Sequence, residues 1–362
     1  MGTTRPGPQY SWWVPNRKRA ATAASAASLS LALPRDFSAT YGRHVDRGLC
    51  LGGGGLYFVA WQVSYLQTLA TLGVSFDNAD RVVGTSAGSI VASTLVGGKL
   101  KRLHSEVSLL SKFPALVSAL APASTLSPSQ QRALDLFIKA TDGDPSTLEE
   151  IGRAALAAAT PKPEFMRRNI ALIVGTGPWT SPALQITCVD AYTAERCVVT
   201  RDSLTSIPRA VAASSAVPGV FSPQPVGDRR CMDGGVSGTG THLDLFGGAK
   251  RVLILALTDG SDVTEGMMTS HPGSGLQEFE DLKASGTEVI VRVPAEVDLM
   301  QLMEPRSVPK ALALGVRQAQ EDAAELAAFW RCSADADTRS ARWHGPARVG
   351  GSGPGHRPVR IR

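Results

Sequence analysis

The chain has 362 residues, of which 43% are hydrophobic and 19% are charged, and its formal net charge is +5. This length and composition are typical of one or two globular domains and exclude wholesale disorder. No apolar run approaches the roughly 18 residues that a membrane-spanning helix needs, so we predict no integral membrane protein.

The positive charge lies at the two ends of the chain. Residues 1–45 carry a net charge of +5 and residues 333–362 carry +4, whereas residues 46–332 carry −4. A mildly acidic central region offers no phosphate-binding groove, so we predict no nucleic-acid partner. The basic ends are rich in Pro, Gly, Ser or Ala and are predicted to be disordered segments that flank one domain. They either stay solvated, which we favour, or contact an anionic membrane surface as a peripheral protein would.

The N-terminal segment contains a weak imitation of a secretion signal. A basic cluster at residues 17–19 precedes a stretch of Ala, Ser and Leu up to residue 33. Because this stretch is mostly Ala and Ser, it is less apolar than a signal peptide requires. We therefore expect a cytoplasmic or membrane-peripheral protein rather than a secreted one.

Strand and helix patterns alternate from residue 48 onward. The strand GLCL leads through four glycines into a helix from about Leu56 to Leu72, and the strand DRVVG leads into a short helix ending at Gly97. Residues 100–169 are predicted to be helical. The later elements are, in order, the strands NIALIVG, ALQITCVD and RCVVT, the helix SIPRAVAASSAV, the strands RRCMDGG and RVLILAL, the helix GLQEFEDLKAS, the strand TEVIVRVP and a helix over residues 308–330. This alternation predicts a three-layer α/β/α fold with a mainly parallel central sheet and a helical insertion after the second β/α unit.

The five cysteines have no metal-binding spacing. There is no C-x-x-C and no Cys/His cluster, so the sequence predicts no metal site. Cys188 and Cys197 flank a hairpin pattern and are expected to face each other across two strands. We favour buried free thiols over disulfides.

The stretch VVGTSAGS joins a strand pattern directly to a helix pattern and contains Gly84-x-Ser86-x-Gly88. In a nucleophile elbow the serine lies on a strained strand-to-helix turn, so the residues two before and two after it must be very small. Ala87 also keeps the turn narrow. A tight β/α turn with a capping serine would give the same short pattern, and this motif alone leaves that alternative open.

The glycine run at residues 52–55 fits two kinds of site. A dinucleotide-binding loop reads G-x-G-x-x-G, but the two possible frames reach Tyr57 or Phe58 in place of the last glycine. No Gly-Lys-Ser/Thr follows, which excludes a P-loop. We favour an oxyanion loop, because glycines at a helix N-terminus can aim adjacent N–H groups at developing negative charge. In a parallel sheet this loop would lie beside Ser86.

Asp233 is the candidate general base. It ends a predicted strand and is followed by Gly234 and Gly235, which leaves its carboxylate uncrowded at the edge where parallel sheets bind ligands. A lone Asp-Gly-Gly is most often a turn. His242 and His271 follow Ser86 in the chain order of a Ser…Asp…His hydrolase and are the alternative bases.

Taken together, LGGGGLYFVAWQVSYLQTLATLGV, RVVGTSAGSIVAS, PRAVAASSAVPGVF and RRCMDGGVSG resemble the patatin-like phospholipases in their bacterial form, over roughly residues 47–330. The resemblance implies a three-layer α/β fold and hydrolysis of lipid acyl esters by a Ser–Asp dyad, with no histidine and no cofactor. It implies that Ser86 is the nucleophile and Asp233 the base. The oxyanion donors would come from the loop and the elbow, at Gly53, Gly54, Gly55 and Ala87.

The sequence departs from the family after the glycines. Members usually read Gly-Gly-Gly-x-Arg/Lys-Gly, whereas Leu56-Tyr57-Phe58 stands here, so the basic contact to a phosphate headgroup is missing. We expect Phe58 either to loosen the packing of its helix or to line the acyl cleft. We expect partial burial to raise the pKa of Asp233 above that of an ordinary Asp. The alternative functions are a His-assisted serine esterase or thioesterase and a catalytically silent lipid-binding relative.

Overall fold

The computed structural model of the chain describes residues 31–113, 125–179, 181–260, 268–295 and 301–331. Most of the predicted basic N-terminal segment lies outside these residues, as does the whole C-terminal tail predicted at 333–362.

Strands and helices alternate as the sequence predicts. The strands are β1 (Arg47–Leu51), β2 (Arg81–Gly84), β3 (Leu184–Asp190), β4 (Arg196–Val199), β5 (Gln224–Val226), β6 (Arg229–Asp233), β7 (Arg251–Leu255) and β8 (Glu288–Arg292). The α-helices are α1 (Gly55–Thr71), α2 (Ala87–Val96), α3 (Leu100–Leu110), α4 (Pro128–Lys139), α5 (Pro145–Ala157), α6 (Pro163–Val174), α7 (Ile207–Ser214), α8 (Ser274–Ala284) and α9 (Val308–Trp330).

The described strands form one eight-stranded sheet in the order β5-β6-β3-β2-β1-β7-β8, with β4 paired to β3. The five strands β3, β2, β1, β7 and β8, which are neighbours in this order, are parallel to one another. Strands β4 and β6 run antiparallel to β3, and β5 runs antiparallel to β6. Helices α3 to α6 form the insertion between β2 and β3. The predicted mainly parallel α/β fold is confirmed, and an antiparallel edge is added to it.

Apolar residues cover both faces of the sheet. On β1, Leu49 and Leu51 belong to one core, and Cys50 points to the other, because successive side chains of a strand alternate. The first core lies beneath α1, α2, α3, α6, α7 and α9. The second lies beneath α8 and the loops around residues 243–246. A third cluster packs α4 and α5 against the antiparallel edge through Phe137, Ile151 and other apolar side chains.

Helix α1 begins at the last residue of the glycine run and buries ten of its 17 residues. Trp61 and Tyr65 are fully buried and stack on each other with ring centroids 5.0 Å apart. On α9, a Cβ at Gly315 would lie 2.7 Å from the Trp61 carbonyl oxygen, so the two helices cross in close contact. This packing fixes the direction in which the N-terminus of α1 points.

The predicted strand NIALIVG is wrong, because residues 169–174 form the second half of α6. The aliphatic run suggests a strand, but Pro163 begins a helix upstream of it. Met166, Ile170 and Val174 recur at every fourth position and are the buried face of that helix. The sequence did not reveal the helical periodicity, because apolar residues also occupy other sides of this helix.

Residues 31–45, which the sequence predicts to belong to the N-terminal segment, pack on the folded domain. Ala32 bridges to Cys197 of β4, and the Leu33 N–H donates to the Arg196 carbonyl at 3.0 Å. The Arg35 guanidinium pairs with Glu278 of α8. The folded region therefore begins upstream of the predicted boundary at residue 46.

The cysteines follow the expected pattern within the described residues. Cys188 and Cys197 are opposite each other in the β3–β4 pair. Both are buried free thiols, as are Cys50 and Cys231. Cys332 lies outside the described residues.

Candidate active site

Ser86 lies at the junction of β2 and α2 on a strained turn. Its φ is 51° and its ψ is −119°, a conformation that is uncommon for a residue with a side chain. The turn directs the Ser86 side chain away from the ladder of β2 and into a partly exposed position. This is the backbone arrangement of a nucleophile elbow.

The two glycines that flank Ser86 are required by close packing. A Cβ at Gly84 would lie 2.7 Å from the Cα of Ser89, and a Cβ at Gly88 would lie 1.9 Å from the Leu51 carbonyl oxygen. Neither position has room for a methyl group, so α2 can leave β2 this sharply only with glycine at both.

Asp233 reaches Ser86 across β3. Gly84 at the end of β2 is opposite Ile186, and Asp233 at the end of β6 is opposite Cys188, two residues further along the same strand. Strands β2 and β6 both pair with β3. Ser86, which follows Gly84 by two residues, therefore meets the Asp233 carboxylate at one edge of the sheet. The Ser86 Oγ donates a hydrogen bond to Asp233 Oδ2 at 2.7 Å.

The carboxyl group of Asp233 is 3% exposed. Burial raises the pKa of Asp233 from 3.8 to about 6, although hydrogen bonds from Gly235 and Ser86 oppose the rise. The Gly235 N–H donates to Oδ1 at 2.8 Å, so each carboxylate oxygen has one donor. A Cβ at Gly234 would lie 2.6 Å from the Thr187 carbonyl oxygen, so this turn too needs a glycine. The expected rise in the pKa of Asp233 is confirmed.

The glycine run lies directly beside Ser86. A Cβ at Gly53 would be 3.3 Å from the Cβ of Ser86. The Gly53 N–H donates to the Gly240 carbonyl at 3.2 Å and is therefore already engaged. Among the described residues, no partner accepts from the N–H groups of Gly54, Gly55 or Ala87. The last two open α1 and α2, so two helix N-termini present unpaired donors near one serine.

Two serines that the sequence reasoning gave no role hold the backbone of Ser86. The Ser86 N–H donates to Ser214 Oγ at 2.9 Å, and Ser215 Oγ donates to the Ser86 carbonyl at 3.2 Å. Both come from AASSAV at the end of α7. That motif contributed to the family resemblance, but nothing in its local pattern indicates a contact with a residue so distant in sequence.

A buried polar cluster supports the loop that receives the Gly53 N–H. Glu278 accepts hydrogen bonds from Thr239 Oγ1 at 2.8 Å and Thr241 Oγ1 at 3.3 Å, and its other oxygen pairs with Arg35. Burial raises the pKa of Glu278 above its ordinary value. The two threonines flank Gly240, so the cluster holds the carbonyl that anchors the glycine run.

Neither candidate histidine contacts the Ser86 hydroxyl. His242 is fully buried, its Nε2 lies 3.2 Å from the Gly234 carbonyl, and burial lowers its pKa well below the ordinary value. His271 is exposed and lies close enough to Asp142 to interact with it. The geometry brings Ser86 together with Asp233 instead.

Phe58 lies in the core and not in a cleft. Its side chain is fully buried and stacks on Trp61 with ring centroids 5.3 Å apart. The expectation that Phe58 lines the acyl cleft is therefore wrong, whereas the expectation that it loosens the packing of α1 stays a prediction. The reason is that α1 is apolar on nearly all sides, so an aromatic ring at its first turn has a core to enter.

Among the described residues, no group of three or more His, Cys, Asp or Glu side chains is arranged to hold a metal ion. No helix within the same residues has the length and apolar content to cross a bilayer.

Two solved structures are similar to parts of the chain. The crystal structure of VipD from Legionella pneumophila is similar over 81% of this chain and 68% of its own, with 15% identity and a TM-score of 0.35. The crystal structure of the type III effector protein ExoU is similar over 76% of this chain and 53% of its own, with 18% identity and a TM-score of 0.28. No curated protein sequence matches the chain. The family model described as Patatin-like phospholipase matches residues 49–243, more than half of the chain, and the chain therefore belongs to the patatin-like phospholipase family.

Proposed function

We propose that the protein hydrolyses carboxylic esters of lipids, in the manner of a phospholipase A or lysophospholipase, through a dyad of Ser86 and Asp233. The observation that carries the proposal is the 2.7 Å hydrogen bond from Ser86 Oγ to Asp233 Oδ2, on an elbow that the protein holds under backbone strain. Family membership supports lipid hydrolysis in general.

In the acylation step, Asp233 accepts the proton of the Ser86 hydroxyl as Oγ attacks the acyl carbonyl carbon. The carbonyl oxygen becomes an oxyanion in a tetrahedral intermediate. When the intermediate collapses, the ester C–O bond breaks and the departing alcohol takes the proton from Asp233. The acyl group remains on Ser86 as an ester.

Deacylation repeats the same proton transfers with water. Asp233 accepts a proton from water as its oxygen attacks the acyl-enzyme carbonyl, and the proton then returns to Ser86 Oγ as the fatty acid leaves. A base of this kind must be ionised yet basic enough to accept a proton. The raised pKa of Asp233, about 6, supports both requirements near neutral pH.

The oxyanion is held by the N–H groups of Gly54, Gly55 and Ala87. These are the donors of the loop and the elbow that have no acceptor among the described residues, whereas Gly53 is bound to Gly240. Removing one donor of this kind typically costs about 3 kcal/mol of transition-state stabilisation. Gly53 thus serves to fix the loop beside Ser86, and the donors follow it in sequence.

The test compares Ser86→Ala and Asp233→Asn with the wild-type protein on a short-chain aryl ester and on a panel of phospholipids, with fluorophosphonate labelling in parallel. Ser105→Ala and Asp202→Asn are matched controls, because both residues are exposed and far from the dyad in sequence. We expect each dyad variant to lose a factor of about 10³ or more in kcat, and only Ser86→Ala to abolish labelling outright.

Three results would contradict the proposal. An Asp233→Asn variant that retains most activity while His242→Ala loses it would indicate a His-assisted esterase. A protein that hydrolyses no ester and takes up no fluorophosphonate would indicate a catalytically silent lipid-binding relative. Activity confined to thioesters would move the protein to another substrate class.

A further inference from the structure

Four large apolar side chains are exposed on α3, just after its C-terminus and on α6, outside the site described above. Leu109 is 58% exposed, Phe113 55%, Phe165 50% and Leu172 73%. Single apolar residues on a surface are ordinary, but several on two adjacent helices mark an interaction site.

The two helices are joined so that these side chains border one surface. Arg102 of α3 donates to the Leu172 carbonyl of α6 at 3.1 Å, and Lys99 donates to the Val174 carbonyl at 2.9 Å. Leu109 follows Arg102 by seven residues, so both lie on the same side of α3. Leu172 likewise follows Phe165 by seven residues on α6.

Positive charge surrounds these apolar side chains. Residues 99–112 and 162–174 together contain seven Lys or Arg and two Glu, although residues 46–332 as a whole carry a net charge of −4. Lys101, Lys112 and Arg168 are exposed and contact no carboxylate in the part of the chain that the structure describes. The cations of this surface are therefore free to meet an anionic partner.

Helices α3 and α6 lie on the same side of the sheet as α7, whose C-terminal serines contact the backbone of Ser86. Core residues of α3, α6 and α7 belong to one cluster. The start of α6 is tied to the loop after α7 by the hydroxyls of Thr160 and Ser222, 2.7 Å apart. That loop follows Ser214 and Ser215, which contact the backbone of Ser86.

We propose that α3, the residues directly after it and α6 form a docking face for an anionic phospholipid bilayer. The docking face consists of Leu109, Phe113, Phe165 and Leu172 together with Lys101, Lys112 and Arg168. Apolar side chains flanked by cations suit the boundary between headgroups and acyl chains, where the rings enter the apolar region and the cations meet lipid phosphates. The proposal rests on the proposed function only for its purpose, which is to bring a bilayer substrate to Ser86.

Binding is tested by co-sedimentation in the Ser86→Ala background, so that no lipid is consumed. The vesicles are phosphatidylcholine alone and phosphatidylcholine mixed with phosphatidylglycerol. We expect binding to the mixed vesicles that weakens as salt is raised. Reversing one cation, in Lys112→Glu or Arg168→Glu, should weaken binding at least about five-fold. The pair Phe113→Ser and Phe165→Ser should weaken it about ten-fold or more.

Matched controls lie on α8, which packs on the opposite face of the sheet. Leu276 is 47% exposed, and Lys283 is exposed on the same helix. Leu276→Ser and Lys283→Glu should leave vesicle binding unchanged. Circular dichroism of every variant establishes that the fold is retained.

Two outcomes would overturn the proposal. The first is that the mixed vesicles bind no protein, or that they bind the docking-face variants as well as they bind the α8 control variants. The second is that the wild-type protein is a dimer whose association is abolished by Phe165→Ser, which would assign the docking face to a second copy of the chain.

Failure of the proposed function is distinguished by a separate measurement. With Ser86 intact, the docking-face variants should hydrolyse a soluble aryl ester at the wild-type rate and lose activity only on vesicles. Vesicle binding without any hydrolysis would keep the docking face and refute the dyad.

Discussion

Replacing Asp233 by Asn should abolish activity and stabilise the folded protein at the same time. The carboxyl group is buried, and its pKa is raised from 3.8 to about 6. A group whose pKa is raised on folding binds its proton more tightly in the native state. Its contribution to stability is fully present below about pH 4 and is lost as pH rises through about 6, with a total of about 3 kcal/mol. The ionised carboxylate is thus a cost that the native protein bears at neutral pH.

The Asp233→Asn variant removes this cost while the amide oxygen and the amide nitrogen each keep one hydrogen-bond partner. The amide oxygen can accept from the Gly235 N–H, and the amide nitrogen can donate to Ser86 Oγ, in place of the contacts that now measure 2.8 and 2.7 Å. We therefore expect the difference in free energy of unfolding between variant and wild type to grow in favour of the variant by up to about 3 kcal/mol between about pH 4 and pH 8.

The assay is urea denaturation of both proteins at a series of pH values, followed by linear extrapolation to zero denaturant. Asp202→Asn is the control, because Asp202 is exposed and should give a difference that is small and independent of pH. A pH-independent difference for Asp233→Asn, or a variant that becomes the less stable protein as pH rises, would refute the argument that burial perturbs this carboxylate.

Three further predictions follow from the same contacts. The kcat/KM for a soluble ester should rise with pH and level off above about 6, because Asp233 must be ionised to accept a proton; a flat profile from about pH 4.5 to 8 would contradict this. Ser215→Ala should lower kcat roughly ten-fold with KM little changed, since it removes one of the hydrogen bonds that hold the Ser86 carbonyl, which Ser89 also contacts, and so shifts the hydroxyl; an equally large rise in KM would contradict a positioning role. Gly88→Ala should cost about 3 kcal/mol or more in urea denaturation, because its Cβ has no room. Gly177→Ala, where a Cβ meets nothing within 4 Å, is the matched control and should be close to neutral.

The sequence predicts most of the strands and helices, apart from NIALIVG and β5, and it predicts Ser86 and Asp233 at strand ends, because these features depend on local rules. A short apolar run followed by small residues ends a parallel strand, and side chains at such ends gather at one edge of the sheet. What the sequence did not contain was the register. Only the pairing of β2 and β6 with β3 brings the two residues to the same height, and a shift of one residue would turn Asp233 to the other face.

The roles of the loop glycines could not be read locally either. Sequence reasoning treated Gly53, Gly54 and Gly55 as equivalent members of an oxyanion loop, since nothing in a run of identical residues separates them. The structure separates them by a contact from elsewhere in the chain: the carbonyl of Gly240 accepts from Gly53 alone. Phe58 shows the same limit, because whether its ring enters a cleft or the core depends on Trp61 and on the packing around α1.

The support of the glycine run extends into residues that composition assigned to the basic N-terminal segment. Arg35 pairs with buried Glu278, which also accepts from Thr239 and Thr241 on either side of Gly240. A carboxylate that is nearly fully buried is costly unless it is paired, so Arg35 compensates charge that the loop needs for its hydrogen bonds. Composition averages Arg35 together with the tail cations, but its position makes it part of the folded domain. The pairing of a buried charge near the site is thus one reason why residues of this segment belong to the folded domain, and no count of Pro, Ser and Arg can reveal it.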